Sequence, residues 1–171
     1  MSPVVDSLPE FYAHALAIER EAVARYQELA DQMHEHNNFA ARDLFAWLAD
    51  NERQHAQELV SRAAGIALPQ LDPWEYKWVD PEAPESAPHE NAHYLMTPHH
   101  ALQLALRNER RAAEYYDRVA RTAKTEAIRK LAEEYAAEER RHIEHVEQAL
   151  ARQEDPTAGL DEDLDDPQAV E

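Results

Sequence analysis

The sequence predicts an all-α protein, an antiparallel four-helix bundle with a long crossover between its second and third helices. Three observations carry this. Glycine occurs only twice in 171 residues, while alanine, leucine, glutamate and arginine are plentiful, a composition that favours helix. Four stretches place apolar side chains three and four residues apart, the spacing of an amphipathic helix. Between the second and third stretches, residues 66–96 hold five prolines and read as non-helical. The length suits one domain with a substantial core.

The first helix starts at Ser7-Leu-Pro-Glu10, a capping box with proline in the first turn. Residues 1–7 are then a short extension. Its inward stripe is Tyr12, Ala15, Leu16, Glu19, Ala22, Val23, Tyr26, Leu29 and Ala30. Residues 34–38 make a turn, and an asparagine caps the second helix. That helix carries Phe45, Leu48, Glu52, His55 and Leu59 on one face. It is expected to stop at Gly65, with Ile66 making the usual hydrophobic contact.

The crossover has a geometric reason. If helices two and three run parallel, the chain must travel back along a bundle roughly 40 Å long, at 1.5 Å per helical residue. About a dozen extended residues would cover that distance, so residues 66–96 suffice. Trp74, Tyr76, Trp78, Tyr94 and Met96 are expected to pack the segment onto the bundle. His89, His93, His99 and His100 cluster around it and read as solvated histidines. Thr97-Pro98 opens helix three, which runs to about Thr122 with Leu102, Ala105, Glu109, Ala112, Ala113, Tyr116, Val119 and Ala120 inward. Thr125 caps helix four, whose stripe is Ile128, Ala132, Tyr135, Glu139, His142, Val146 and Ala149. The bundle thus spans residues 8–153, and the acidic, proline-bounded residues 154–171 read as a disordered tail.

The two halves repeat. Glu19 and Tyr26 have the same spacing as Glu109 and Tyr116, two turns along one face. Each half ends in Glu-x-x-His, as Glu52-Arg-Gln-His55 and Glu139-Arg-Arg-His142. Positions i and i+3 share a helix face. Four carboxylates and two imidazoles therefore converge on the bundle axis, related by a pseudo-two-fold axis. A register one residue earlier, with Glu138 in place of Glu139, stays open from boundary uncertainty, although Tyr135, His142 and Val146 favour Glu139.

Unpaired carboxylates inside a helical core cost several kcal/mol each. No lysine or arginine shares the inward stripes. Two divalent cations would cancel four negative charges. Oxygen-rich ligation with one imidazole per metal suits iron or manganese better than zinc. Glu52 and Glu139, each one turn from its own histidine, are the expected bridges. Tyr26 and Tyr116 either hydrogen-bond the outer glutamates or simply pack in the core.

The motifs AIEREAVARY, NERQH, LRNERRAAEYY and EERRH resemble the ferritin-like superfamily, close to its rubrerythrin and bacterioferritin branches, over about residues 8–152. The resemblance implies a non-haem di-iron centre held by Glu19, Glu52, His55, Glu109, Glu139 and His142. It also implies a reaction with hydrogen peroxide or dioxygen. Three departures matter. Rubrerythrins carry a cysteine-held rubredoxin-type iron, and this chain has no cysteine. Their extra glutamate one turn after the third-helix ligand is Ala112 here. The haem-binding methionine of bacterioferritins is Arg53, so no haem is expected.

The expected cofactors are two iron ions, with manganese as the other candidate. A separate electron-donor protein would be required, and a homodimer is the assembly considered. The alternatives are a ferroxidase that handles iron and a metal-free helical interaction module. The formal charge of −18 argues against nucleic acid and anionic membranes as partners. No segment reads as a signal peptide or membrane span, and the lack of cysteine fits a cytoplasmic setting.

Overall fold

The computed structural model describes residues 5–72 and 97–154. They form four helices: α1 (Leu8–Glu35), α2 (Phe39–Arg62), α3 (Pro98–Thr122) and α4 (Glu126–Glu154). The expected packing of Trp74, Tyr76, Trp78, Tyr94 and Met96, the positions of His89 and His93, and the acidic tail lie outside the described residues.

Local chemistry sets the helix ends. The Ser7 hydroxyl accepts from the Glu10 N–H, and the Glu10 carboxylate reaches back to the Asp6 N–H at 2.9 Å. Asn38 Oδ1 accepts from the Ala41 N–H at 2.9 Å, Thr97 Oγ1 from His100 at 3.2 Å, and Thr125 Oγ1 from Ile128 at 3.4 Å. The end of α2 differs from expectation. The last helical residue is Arg62, and Ala63 is the cap. Gly65 does take the left-handed conformation, at φ 80°. Ile66, however, remains 36% exposed, and Leu68 packs on the core instead. The one residue between cap and glycine, Ala64, sets Ile66 a position further from the helix end.

Each helix pairs with its sequence neighbour, α1 with α2 and α3 with α4. Two apolar clusters show how the hairpins combine. One gathers Phe11, Tyr12, Ala15 and Leu16 with Leu59, Ala63, Tyr116, Val119, Ile128, Ala132 and Tyr135. It joins the starts of α1 and α4 to the ends of α2 and α3. The other gathers Tyr26, Leu29, Met33, Phe45, Leu48, Leu102, Ala105 and Val146 at the opposite end. So α2 runs parallel to α3, and the connection between them must span the bundle. Fully burying each large side chain contributes about 1.5–3 kcal/mol. The clusters leave a middle layer between them, and the polar residues of the bundle occupy it.

The core confirms most of the predicted stripes. Ala22, Val23, Ala120 and Ala149 are only half-buried. Phe11, Ile18 and Met33 are buried without having been in the predicted stripe. No described helix is long and apolar enough to cross a membrane.

Candidate metal centre

Each helix delivers its functional side chains to the middle layer from a position flanked by core residues one or two turns away. Leu48 and Leu59 bracket Glu52 and His55 on α2, and Tyr135 and Val146 bracket Glu139 and His142 on α4. Glu19 lies between Leu16 and Tyr26, and Glu109 between Ala105 and Tyr116. All six predicted residues come together. Glu19, Glu52, Glu109, Glu139 and His142 are at most 2% exposed, and His55 is 8% exposed. The register at α4 resolves in favour of Glu139. Glu138 is half-buried outside both ligand groups, pairing with Arg141 while its Oε2 lies 3.9 Å from His55 Nε2.

Two groups of ligand atoms form, Glu19–Glu52–His55–Glu139 and Glu52–Glu109–Glu139–His142, each within 4.8 Å of one another. They share Glu52 and Glu139, the two carboxylates expected to bridge. The Nδ1 atom of His142 lies 2.8 Å from Glu52 Oε1, 3.1 Å from Glu109 Oε2 and 3.5 Å from Glu139 Oε2. Similarly, Nδ1 of His55 lies 3.4 Å from both Glu19 Oε2 and Glu52 Oε2. One N–H can serve one acceptor well, not three. Glu19 Oε2 and both Glu52 oxygens are buried without an aligned hydrogen bond. A cation at each convergence point would satisfy all of these atoms at once. The imidazoles stack nearly parallel, 5.5 Å apart.

The outer carboxylates are held crosswise. The Tyr26 hydroxyl of α1 donates to Glu109 Oε1 of α3. The Tyr116 hydroxyl of α3 donates to Glu19 Oε1 of α1 at 2.5 Å. Burial and the neighbouring glutamate charges push both phenols well above their ordinary range, so they remain donors. Each tyrosine thus clamps the glutamate of the opposite hairpin.

Protons do the neutralising where cations are absent. Burial, and then the charge of Glu52, pushes Glu19 up to about 8. The same causes raise Glu139 well above the carboxylate range. Burial opposes ionisation of Glu52, but Glu19, His142 and His55 hold it below the ordinary range. Burial alone would lower His55, yet Glu19 and Glu52 push it up to about 9. For His142, Glu109, Glu139 and Glu52 outweigh burial and push it up to about 12.

A rubrerythrin family model matches residues 10–94 and 100–165. The chain belongs to the rubrerythrin family. The crystal structure of an uncharacterised conserved protein from Magnetospirillum magnetotacticum shares 38% identity, at a TM-score of 0.76. The match covers 85% of this chain and 95% of that one. No curated protein matches at a significant level. Within the rubrerythrin fold, Ala112 is buried one turn after Glu109 and offers no donor atom. His99 and His100 sit in the first turn of α3, about three turns before Glu109.

One contribution was not legible beforehand. Phe11 is fully buried and packs its ring against Tyr12, Tyr116 and Tyr135 at 6.0–6.3 Å. It supports the tyrosine layer beneath the centre. In the sequence it sits one residue before Tyr12, and both face inward because the first turn meets two helices at once.

Proposed function

We propose that this rubrerythrin-family chain is a non-haem di-iron oxidoreductase acting on hydrogen peroxide or dioxygen. The observation that carries the reading is the pair of overlapping ligand groups with Glu52 and Glu139 in common. Glu19 and His55 would hold one ion, Glu109 and His142 the other, with Glu52 and Glu139 between them. Bound iron supplies one-electron chemistry at each position, and six protein ligands leave room for a small oxidant. Manganese satisfies the same donors.

The chain's own residues do the rest. Glu52 and Glu139 balance charge across both positions. Tyr26 and Tyr116 fix the outer carboxylates and keep them from rotating away. The two apolar clusters at either end exclude bulk water and raise the strength of every charge contact in the centre. The chain has no cysteine to hold a thiolate iron centre, so electrons come from a separate donor protein.

The test is metal analysis of protein produced with added iron, with optical spectra before and after hydrogen peroxide. About two irons per chain and a new ferric absorption on peroxide addition support the reading. Iron-free protein, or iron oxidised equally slowly by peroxide and oxygen, sinks it. A second reading, iron handling by a ferroxidase, draws support from the net charge of −18, which concentrates cations at the surface. Under that reading ferrous iron is the substrate, and the iron delivered exceeds what the centre retains.

A further inference from the structure

The two halves of the centre repeat each other, but their surroundings do not. Aligning Glu52 and His55 with Glu139 and His142 pairs Trp47 with Glu134, Leu48 with Tyr135 and Glu58 with His145. Over His142, the Trp47 indole stands edge-on at 5.6 Å and lies 4.4 Å from the His145 ring. At the His55 half the equivalent positions are the hydrophilic Glu134 and Glu58, and Glu138 Oε2 lies 3.9 Å from His55 Nε2. There a groove of about 780 Å³ opens between α2 and α4, with His55 and Tyr135 on its inner wall. Its rim charges largely pair off. Arg62 binds both oxygens of Glu134, at 2.7 and 3.2 Å, and Arg141 binds Glu138.

Tyr135 is the anomaly in this wall. It is 2% exposed, and its ring packs against Tyr116 at 5.4 Å and edge-on to His55 at 5.8 Å. Tyr26 and Tyr116 commit their hydroxyls to carboxylates, whereas the buried Tyr135 hydroxyl has no hydrogen-bond partner among the described residues. Leaving such a group unsatisfied works against folding. A leucine or phenylalanine would pack there without that cost, and the repeat places a leucine at the equivalent position.

We propose that the α2–α4 groove admits small hydrogen-bonding ligands, and that the Tyr135 hydroxyl is their docking point beside the His55 half of the centre. This rests on the metal-centre reading and deepens it. The ligand class is molecules of two or three heavy atoms that accept a hydrogen bond from a phenol. Hydrogen peroxide is the reactive member and azide an unreactive probe. At the His142 half the rings of Trp47 and His145 stand in the corresponding place, so the repeat is broken in function.

The test uses full-length protein loaded with cobalt(II), with azide titrated against the visible spectrum. Wild type is expected to bind azide. Tyr135→Phe is expected to weaken that affinity roughly tenfold, the worth of one charge-assisted hydrogen bond. Cobalt content and Tm should be no lower than in wild type. Ser61→Trp, at the rim, should slow azide association at unchanged cobalt content. Azide affinity within twofold of wild type in Tyr135→Phe overturns the inference alone. So does a lowered Tm in that variant, which would show the hydroxyl serving the fold. Wild-type protein that takes up no cobalt overturns the metal reading, and this inference with it.

Discussion

Glu139 carries its proton when no cation is present, because burial and Glu52 raise it well above the carboxylate range. Glutamine imitates that protonated acid in size and hydrogen bonding. Glu139→Gln is therefore expected to leave the metal-free melting free energy within about 0.5 kcal/mol of wild type. Metal analysis should show the variant losing at least one of its ions. Tyr26→Phe behaves oppositely: it removes a buried hydrogen bond to Glu109 and should cost about 1.5–3 kcal/mol in denaturant titration. The raised groups also set a pH dependence. Glu19 moves from an ordinary 4.5 to about 8, and His55 from 6.5 to about 9. Both hold more protons folded than unfolded, so their stabilisation is full below the unfolded values and is lost as pH rises through 8 and 9. The Tm of chelator-treated protein should fall between pH 5 and 9. Over the same range metal affinity should rise, with protons released on binding, measurable by calorimetry in two buffers.

At the scale of the helix, the ends were mostly readable because capping is a local bargain between a short polar side chain and two or three N–H groups. Ser7, Asn38, Thr97 and Thr125 all cap as their positions suggest. Asn38→Ala should destabilise the α1–α2 hairpin by about 1 kcal/mol in chemical denaturation, since it frees the Ala41 N–H. The end of α2 was less readable. Gly65 marked a left-handed residue correctly, but what Ile66 and Leu68 touch depends on which helices lie alongside. The same limit hid Phe11. One residue from Tyr12, it sits about 100° round the helix, and only contact with α3 and α4 makes that second face interior.

For the whole molecule, the centre is the place where the two hairpins meet, since each ligand group draws on both. Cations there would bind the folded bundle and not the separated hairpins, so loading should raise stability. At a free metal concentration 100 times the dissociation constant the gain is about 2.7 kcal/mol. A thermal melt with and without chelator checks this. An unchanged Tm in protein shown to contain metal would mean that the hairpins associate independently of the centre. The groove between α2 and α4 also belongs to this scale, because no single helix encodes it.

The four helices, the six converging residues and the pairing of the halves came from the sequence, because helical periodicity is local and a duplicated spacing is hard to produce by surface charge alone. Tertiary structure decided the rest. It chose Glu139 over Glu138, crossed the tyrosine clamps between hairpins, and made one half of a symmetric repeat open while Trp47 covers the other. The physical reason is that a helix fixes which residues share a face, whereas only the packing of four helices determines what each face meets.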